Sequence, residues 1–222
     1  MKNRYQGVLE QYNQDILNLC PGNFTSRLIL ALELKKIEET HKRVLEIGCG
    51  TGDSARPILE NTNLYLNLLD VSESMLAVCR NELSLYDNRI YYICEDGLSY
   101  LMRCCLYDVI FSEWVIHNFN WDGKLKLFRQ IYDKLNPGGV FLLMDKVLPD
   151  IGAQELFDCQ MKRYDYLEPE IRDGIKEHEV QDYSPDFRMD ETRTINELKM
   201  IGFKSIIIID RLERDVVLMA KK

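Results

Sequence analysis

The sequence has no long hydrophobic run and no excess of basic residues. No apolar stretch approaches the roughly 20 residues of a membrane-spanning helix, so we expect no membrane span. The opening MKNRYQGVLEQYNQD lacks the apolar core and cleavage site of a secretory signal, and we expect a cytoplasmic location. The net charge of −8 disfavours a protein that grips phosphate backbones, so a nucleic-acid partner is not expected.

Paired cysteine motifs are also lacking. The seven cysteines include no CxxC pair, the spacing that would indicate zinc binding or redox chemistry. Several lie inside apolar runs, where a free cysteine behaves as a small hydrophobic residue. We therefore predict reduced cysteines and no metal site. The length of 222 residues and the apolar share of 46% are those of one ordinary globular domain.

Short hydrophobic runs alternate with amphipathic segments between residues 43 and 146. The runs are typical of strands buried on both faces of a parallel sheet, and they predict strands at 43–48, 64–70, 89–96, 107–113 and 140–146. The intervening segments predict helices at 53–62, 72–83 and 123–135, and NPGG stops the last one. This βαβαβ alternation predicts a parallel sheet covered by helices.

The pattern changes after residue 146. Residues 150–186 are polar, rich in tyrosine and without strand signals. A helix and two strands are predicted at 190–202, 204–210 and 215–220. The link between those strands, RLER, is too short for a helical crossover, so they must pair antiparallel. We predict one domain over 1–222, with a helical cap over 1–40 and a lid-like insertion over 150–186.

Three glycines follow the first strand in VLEIGCGTGD, at Gly48, Gly50 and Gly52. Glycine lets a loop turn tightly and bring its amides against a ligand. The dinucleotide fingerprint GxGxxG needs its third glycine where Asp53 stands, and a carboxylate there would repel a pyrophosphate. The loop therefore favours a ligand without phosphates, bound beyond the carboxyl ends of the strands.

Acidic residues at the strand ends indicate what that ligand carries. Asp70 closes the second strand, where a carboxylate accepts hydrogen bonds from ribose hydroxyls. Asp96, in CEDG after the third strand, suits the exocyclic amine of an adenine. Glu46 lies inside the first strand, which is a costly place for a charge without a cationic partner. Together they describe an adenosyl ligand with an ammonium group.

Five sequence elements stand in an order and spacing typical of a known family: VLEIGCGTGD, Asp70, EDG, YDVIFS and LNPGG. Through them the chain resembles the class I S-adenosylmethionine-dependent methyltransferase family. The resemblance implies an α/β fold with a Rossmann-like, seven-stranded, mostly parallel sheet, an antiparallel last strand and helices on both faces. It implies S-adenosyl-L-methionine as cofactor and S-adenosyl-L-homocysteine as product. The predicted cofactor-binding residues are Arg27, Glu46, Gly48, Gly50, Gly52, Asp70, Val71, Met75, Asp96, Gly97 and Ser112.

The segment SEWVIHNFNW (112–121) follows the fourth strand, where an acceptor approaches the methyl group. His117 is a candidate general base, since imidazole gains and loses a proton near neutral pH. Trp114 flanks the acceptor or the adenine, or packs in the core. Glu113 either binds the acceptor or is a solvated charge. In the insertion, Tyr164 is a candidate catalytic residue. Its other candidate acceptor-binding residues are Tyr166 and His178. Tyr12 is a further candidate, with Arg27, for the methionine carboxylate.

These features predict methyl transfer to a small molecule by a monomer or homodimer. Two further segments are CPGNFTSRLILALEL (20–34) and DKVLPDIGAQELFDCQMKRYDYLEPE (145–170). They resemble the carboxy-S-adenosylmethionine synthase branch of the family, which prepares a cofactor for tRNA wobble modification. In that branch an arginine and tyrosines hold the extra carboxylate, whereas IKEHEVQDY here has His178 and Glu179. This difference favours the plain cofactor. A non-catalytic S-adenosylmethionine-binding subunit is the third alternative.

Overall fold

The computed structural model describes residues 19–20 and 23–222. One seven-stranded sheet with the order β3-β2-β1-β4-β5-β7-β6 runs through it. Its strands are β1 (Arg43–Ile47), β2 (Tyr65–Asp70), β3 (Ile90–Cys94), β4 (Tyr107–Glu113), β5 (Leu135–Lys146), β6 (Ser205–Leu212) and β7 (Asp215–Lys221). Strand β7 pairs antiparallel with β5 and β6, and the other pairs are parallel. The predicted fold class is confirmed.

Helices cover both faces of the sheet. They are α1 (Asn23–Ile37), α2 (Ala55–Asn61), α3 (Glu73–Glu82), α4 (Gly97–Arg103), α5 (Trp121–Lys134), α6 (Ala153–Arg163), α7 (Pro169–Tyr183) and α8 (Glu191–Ile201). Three short 3₁₀ turns span Ser84–Arg89, Ile116–Asn118 and Tyr164–Tyr166. Helix α1 falls within the predicted cap, whereas Tyr12 and the rest of residues 1–18 lie outside the described residues. Among the residues described, no helix has the length and apolar character to cross a bilayer.

The two faces of the sheet form two hydrophobic clusters, because successive side chains of a strand point to opposite faces. On one face Leu45 and Ile110 pack with Phe128 of α5. On the other face Val44 and Phe111 pack beneath α1 and α2, with Leu34 and Ile58 among their neighbours. All of these side chains are fully buried, which explains why the strands read as continuous apolar runs.

Two local features differ from the sequence-based expectation. Strand β5 begins at Leu135 and runs through NPGG. Its pairing with β4 shifts register between Tyr107 and Val109 of β4. Gly138 adopts a φ of +78° there, which lets the extended chain bend without ending. Helix α4 was not predicted, because Asp96 was interpreted as a ligand-binding acid rather than as a helix cap.

The strand order reverses between β1 and β4. Strand β1 is followed by β2 on one side, and β4 is followed by β5 on the other. Loops that leave neighbouring parallel strands in opposite directions open a crevice at their carboxyl ends. The glycine loop and the segment from Trp114 to His117 both lie at that crevice.

Candidate functional site

The glycine loop is closed by tight contacts on one side and open on the other. Gly48 and Gly50 have φ values of +75° and +52°, in the left-handed region that other residues rarely adopt. A Cβ atom on Gly48 would lie 2.3 Å from Cγ2 of Val115, whereas one on Gly50 would meet nothing within 4 Å. Gly52, with φ of +88°, packs against Cys79 and Leu83. Gly50 therefore presents bare backbone to open space.

Asp70 joins the glycine loop to the loop that follows β2. Its Oδ2 accepts a hydrogen bond from the Gly50 amide at 2.9 Å, and its Oδ1 accepts one from the Ser72 amide at 2.8 Å. An ionised carboxylate has about four acceptor positions, so both oxygens keep capacity for a further donor. Val71 is exposed and Met75 is partly buried just beyond it.

Asp96 and Ser112 make contacts within the protein that the sequence did not suggest. Asp96 caps α4, since its Oδ1 accepts bonds from the amide and hydroxyl of Ser99 at 3.0 and 3.1 Å. Its side chain is exposed, and Gly97 begins the helix. Ser112 is fully buried, and its hydroxyl donates to the Ile47 carbonyl at 3.1 Å. That bond ties β4 to β1 at the crevice.

Four charged side chains and one serine lie beside the glycines. This group, here called the loop cluster, consists of Arg27, Glu46, Asp53, Ser54 and Glu113. Arg27 Nε donates to Glu113 Oε1 at 2.6 Å, and its Nη2 lies 3.5 Å from Asp53 Oδ2. The Ser54 hydroxyl donates to Glu46 Oε1. Glu113, predicted to face an acceptor, thus pairs with Arg27, predicted to hold the cofactor.

The loop cluster has more acidic than basic groups. Burial raises the pKa of Glu46 well above its usual range; Glu113 adds to the rise, and the Ser54 hydrogen bond opposes it. Burial also raises the pKa of Glu113, although Arg27 opposes the shift. Glu46 Oε2 is buried and has no hydrogen-bond partner among the described residues. This arrangement suits a ligand that brings a positive charge to Glu46.

On the other side of the crevice, His117 is fixed by Asp145 of β5. His117 Nδ1 lies 2.6 Å from Asp145 Oδ1, and Asp145 Oδ2 accepts bonds from the amides of Ile116 and His117 at 2.9 and 3.1 Å. Burial acts to raise the pKa of Asp145, but His117 and these hydrogen bonds outweigh it and lower the pKa. An ionised Asp145 thus directs His117 Nε2 towards the insertion.

The insertion is attached to the sheet by buried ion pairs, here called the lid cluster: Lys146, Tyr164, Glu179, Asp182 and Arg214. Lys146 Nζ donates to Glu179 Oε1 and to Asp182 Oδ2, each at 2.8 Å. Arg214 donates to both oxygens of Glu179. The Tyr164 hydroxyl donates to Glu179 Oε1 at 2.8 Å, and burial and then Glu179 raise its pKa well above the usual range. Tyr164 is therefore held as a neutral hydrogen-bond donor.

Trp114 lies between the loop cluster and the lid cluster. Its φ of +53° is unusual for a bulky residue, and the fold holds it through a bond from its amide to the Met144 carbonyl at 2.9 Å. The indole ring stands edge-on to His117, with centroids 6.1 Å apart, and Lys146 Nζ lies 5.5 Å from its centroid. Strained backbone of this kind is concentrated at functional sites.

The remaining candidates lie on the insertion. Tyr166 is 55% exposed in the 3₁₀ turn after α6. His178 is on α7, where its ring, the ring of His117 and the Asp182 carboxylate offer atoms within 4.8 Å of one another. The fold thus assembles His178 with His117 and leaves Tyr166 at the surface.

Sequence reasoning missed most of the lid cluster and Asp145. Asp145 and Lys146 end the apolar run VFLLMDK, and both are buried. A charge at the end of a buried strand is the same signal that identified Glu46, and it would have identified this pair. Arg214 and Asp182 carried no such signal, because their partners lie in distant parts of the chain.

Several known proteins with similar sequences or structures are described as methyltransferases. The "Methyltransferase domain" family profile matches residues 44–139. Phosphoethanolamine N-methyltransferase 2 of Caenorhabditis elegans is 33% identical over 45% of this chain and 23% of its own length. The carboxy-S-adenosyl-L-methionine synthase of Nautilia profundicola is 25% identical over 89% of this chain and 85% of its own length. Other curated relatives with at least 30% identity are matched over 28% to 49% of their lengths.

A solved structure with the same fold comes from Methanococcus maripaludis. It is that of a candidate S-adenosyl-L-methionine-dependent methyltransferase, and the TM-score is 0.64 at 19% identity. The alignment covers 98% of this chain and 92% of that one. The likeness therefore extends from the glycine loop through the insertion to the terminal hairpin.

Proposed function

Because the chain belongs to the class I S-adenosylmethionine-dependent methyltransferase family, we propose that it transfers a methyl group from S-adenosyl-L-methionine to a small molecule. The cofactor lies across the crevice at the ends of β1 and β4. The loop cluster carries this proposal, since Glu46 and Glu113 are buried beside a loop of bare backbone with Arg27 as their nearby cation.

The charges of the cofactor match those of the loop cluster. S-adenosyl-L-methionine carries an ammonium, a sulfonium and a carboxylate. The ammonium supplies the cation that Glu46 Oε2 lacks, and Arg27 is the group of the cluster suited to the carboxylate. Asp70 takes the ribose hydroxyls, and the exposed Asp96 takes the adenine amine. Burial of each polar atom is then compensated by a hydrogen bond.

Methyl transfer needs the acceptor held in line with the sulfonium, and positioning supplies most of the catalysis. His117 and Trp114 are proposed to meet the acceptor, because both lie directly after β4 and next to the crevice. His117 is only 6% exposed, so the lid-like insertion has to move before an acceptor can reach it. Tyr164 then serves through Glu179, by holding the insertion in place.

We expect S-adenosyl-L-methionine and S-adenosyl-L-homocysteine to bind with micromolar affinity, and NAD not to bind. Native mass spectrometry and calorimetric titration of the full chain measure this. Asp70→Asn removes the negative charge that faces the ribose, and we expect it to weaken both adenosyl ligands by about tenfold or more, at about 1.4 kcal/mol per factor of ten. Binding of NAD alone would contradict the proposal.

A second expectation concerns Gly50. Gly50→Ala places a methyl group in the open space where the cofactor is proposed to contact the backbone of the loop, so we expect the cofactor affinity to fall by about tenfold. Because alanine disfavours a positive φ, we also expect the free energy of unfolding to fall by about 1–2 kcal/mol. Gly138→Ala is the matched control, since Gly138 also has a positive φ of +78° and open space around it. Calorimetry and urea unfolding compare the two. Equal cofactor affinities in both variants would place the ligand elsewhere.

A carboxy-S-adenosylmethionine synthase is the second candidate function. It is favoured by the match to the Nautilia profundicola enzyme, which extends over 210 residues. The buried cations Lys146 and Arg214 could pair with an extra carboxylate on the cofactor, but both already pair with Glu179. Native mass spectrometry separates the two functions: a retained ligand heavier than S-adenosyl-L-methionine by one carboxyl group would replace methyl transfer with synthase activity.

A further inference from the structure

We propose that His117, His178 and Asp182 bind a divalent transition-metal ion between the sheet and the insertion. The two histidine rings and the carboxylate each offer an atom within 4.8 Å of the others. Ligand atoms of a zinc-type site lie about 3.3–3.5 Å apart, given bonds of about 2.0–2.1 Å. The three ligand atoms therefore have to move closer together, by rotation of their side chains, to share one ion. The inference goes beyond methyl transfer and does not depend on it.

The sequence places these ligands in a regular geometry. His178 and Asp182 are four residues apart on α7 and so lie on one face of the helix. His117 comes from the turn after β4 and faces them across the crevice, with Nε2 3.9 Å from Asp182 Oδ2. The chain has three histidines, and two of them meet here.

His117 has the support that metal-bound histidines usually have. Metal-ligating imidazoles generally donate their other ring N–H to a carboxylate, which fixes the ring and its tautomer. Asp145 Oδ1, 2.6 Å from His117 Nδ1, occupies that position. The ring nitrogen of His117 that remains to bind a metal is Nε2, which lies on the side of Asp182.

Asp182 keeps one oxygen available. Its Oδ2 accepts from Lys146, whereas its Oδ1 is buried without a partner among the described residues. Asp182 is 8% exposed, and an unpartnered carboxylate oxygen at that depth is costly unless a cation binds it. A cavity of about 20 Å³, lined by His117, Asp182 and Lys146 among others, lies beside it. That volume holds one water or one ion.

Two imidazoles and one carboxylate select the class of ion. Nitrogen ligands suit zinc, iron(II), nickel and copper, whereas magnesium and calcium prefer oxygen ligands alone. Three protein ligands leave a coordination position open. An oxygen or nitrogen atom of a bound small molecule would occupy that position.

The test uses the full chain, stripped with a chelator and titrated with Zn²⁺ in a calorimeter, without cofactor or acceptor. We expect one ion per chain, and a tenfold or greater loss of affinity in His178→Ala and in Asp182→Asn. His41→Ala is the matched control, since His41 bonds Thr40 at the opposite end of β1, and it should bind as the unaltered chain does. Circular dichroism confirms that the variants fold.

Cobalt(II) supplies a second readout that needs no variant. Its visible bands report nitrogen ligands and a low coordination number, and we expect them to disappear when Zn²⁺ is added but to persist with Mg²⁺. A stripped chain that takes up no Zn²⁺ or Co²⁺, or variants that bind as tightly as the unaltered chain, would overturn the metal site. S-adenosyl-L-methionine binding to the same samples shows separately whether the proposed function holds.

Discussion

Glu179→Gln is expected to lower the free energy of unfolding by about 3–5 kcal/mol, the usual loss when one partner of a buried ion pair is removed. Glu179 accepts hydrogen bonds from Lys146, Arg214 and Tyr164. Lys146 keeps Asp182 as a partner. Arg214, which is 6% exposed, loses the carboxylate that accepts from both of its terminal nitrogens. It keeps a 3.4 Å hydrogen bond to the Tyr164 hydroxyl, but its charge stays buried without a carboxylate.

Urea unfolding followed by circular dichroism measures this loss. Glu177→Gln is the matched control, because Glu177 lies on the same helix but is exposed, and we expect a change within about 0.5 kcal/mol. The midpoint should fall for Glu179→Gln at an unchanged slope, which indicates the same surface exposed on unfolding. Equal midpoints for the two variants would mean that the buried pairs do not hold the insertion to the sheet.

The double variant Glu179→Gln, Arg214→Met extends this experiment. If the cost of Glu179→Gln arises from the uncompensated guanidinium, removing that charge restores part of the stability, and the two effects are not additive. Additive effects would show that Glu179 contributes through Lys146 and Tyr164 instead.

The parts of the fold that were predictable are those set by local pattern. The central strands β1, β4 and β7 appear as short apolar runs because they are buried on both faces. The RLER link fixes the antiparallel hairpin because four residues cannot form a crossover. The glycine loop was equally predictable, since tight backbone turns require glycine. NPGG was read as an interruption, whereas Gly138 only bends β5.

The parts that were not predictable depend on contacts between distant residues. Lys146 and Glu179 are separated by 33 positions and His117 and Asp145 by 28, and no local pattern announces either pair. Glu113 was a candidate for binding the acceptor because of its position at the end of β4, yet its partner is Arg27 on α1. A metal site was not expected because the cysteine spacing does not indicate one, whereas the proposed ligands are two histidines and an aspartate.

The affinity for S-adenosyl-L-methionine is expected to rise with pH through Glu46. Burial raises the pKa of this carboxyl well above its usual range, so in the ligand-free protein it keeps its proton to a higher pH than an exposed glutamate does. The ligand's ammonium group favours the ionised carboxylate, and binding therefore releases about one proton. While Glu46 is protonated, the affinity rises by up to about tenfold per pH unit.

The other groups near Glu46 modify the size of this effect but not its direction. Ser54 donates a hydrogen bond and Arg27 is a permanent cation, so both favour the ionised form, whereas Glu113 and Cys79 oppose it. Calorimetry in two buffers with different heats of ionisation gives the number of protons released. In Glu46→Gln, a neutral side chain of the same shape, we expect weaker binding and loss of that proton.

The stability of the ligand-free protein should respond to pH in the opposite direction. A carboxyl whose pKa is raised on folding contributes stability below its unfolded pKa of about 4.3, and this contribution is lost as pH rises through the higher pKa of the folded state. Unfolding should therefore become easier over the pH range in which ligand binding becomes tighter. Glu46→Gln removes both trends together. A variant that kept either trend would show that another group is responsible, because the same proton on Glu46 must account for both.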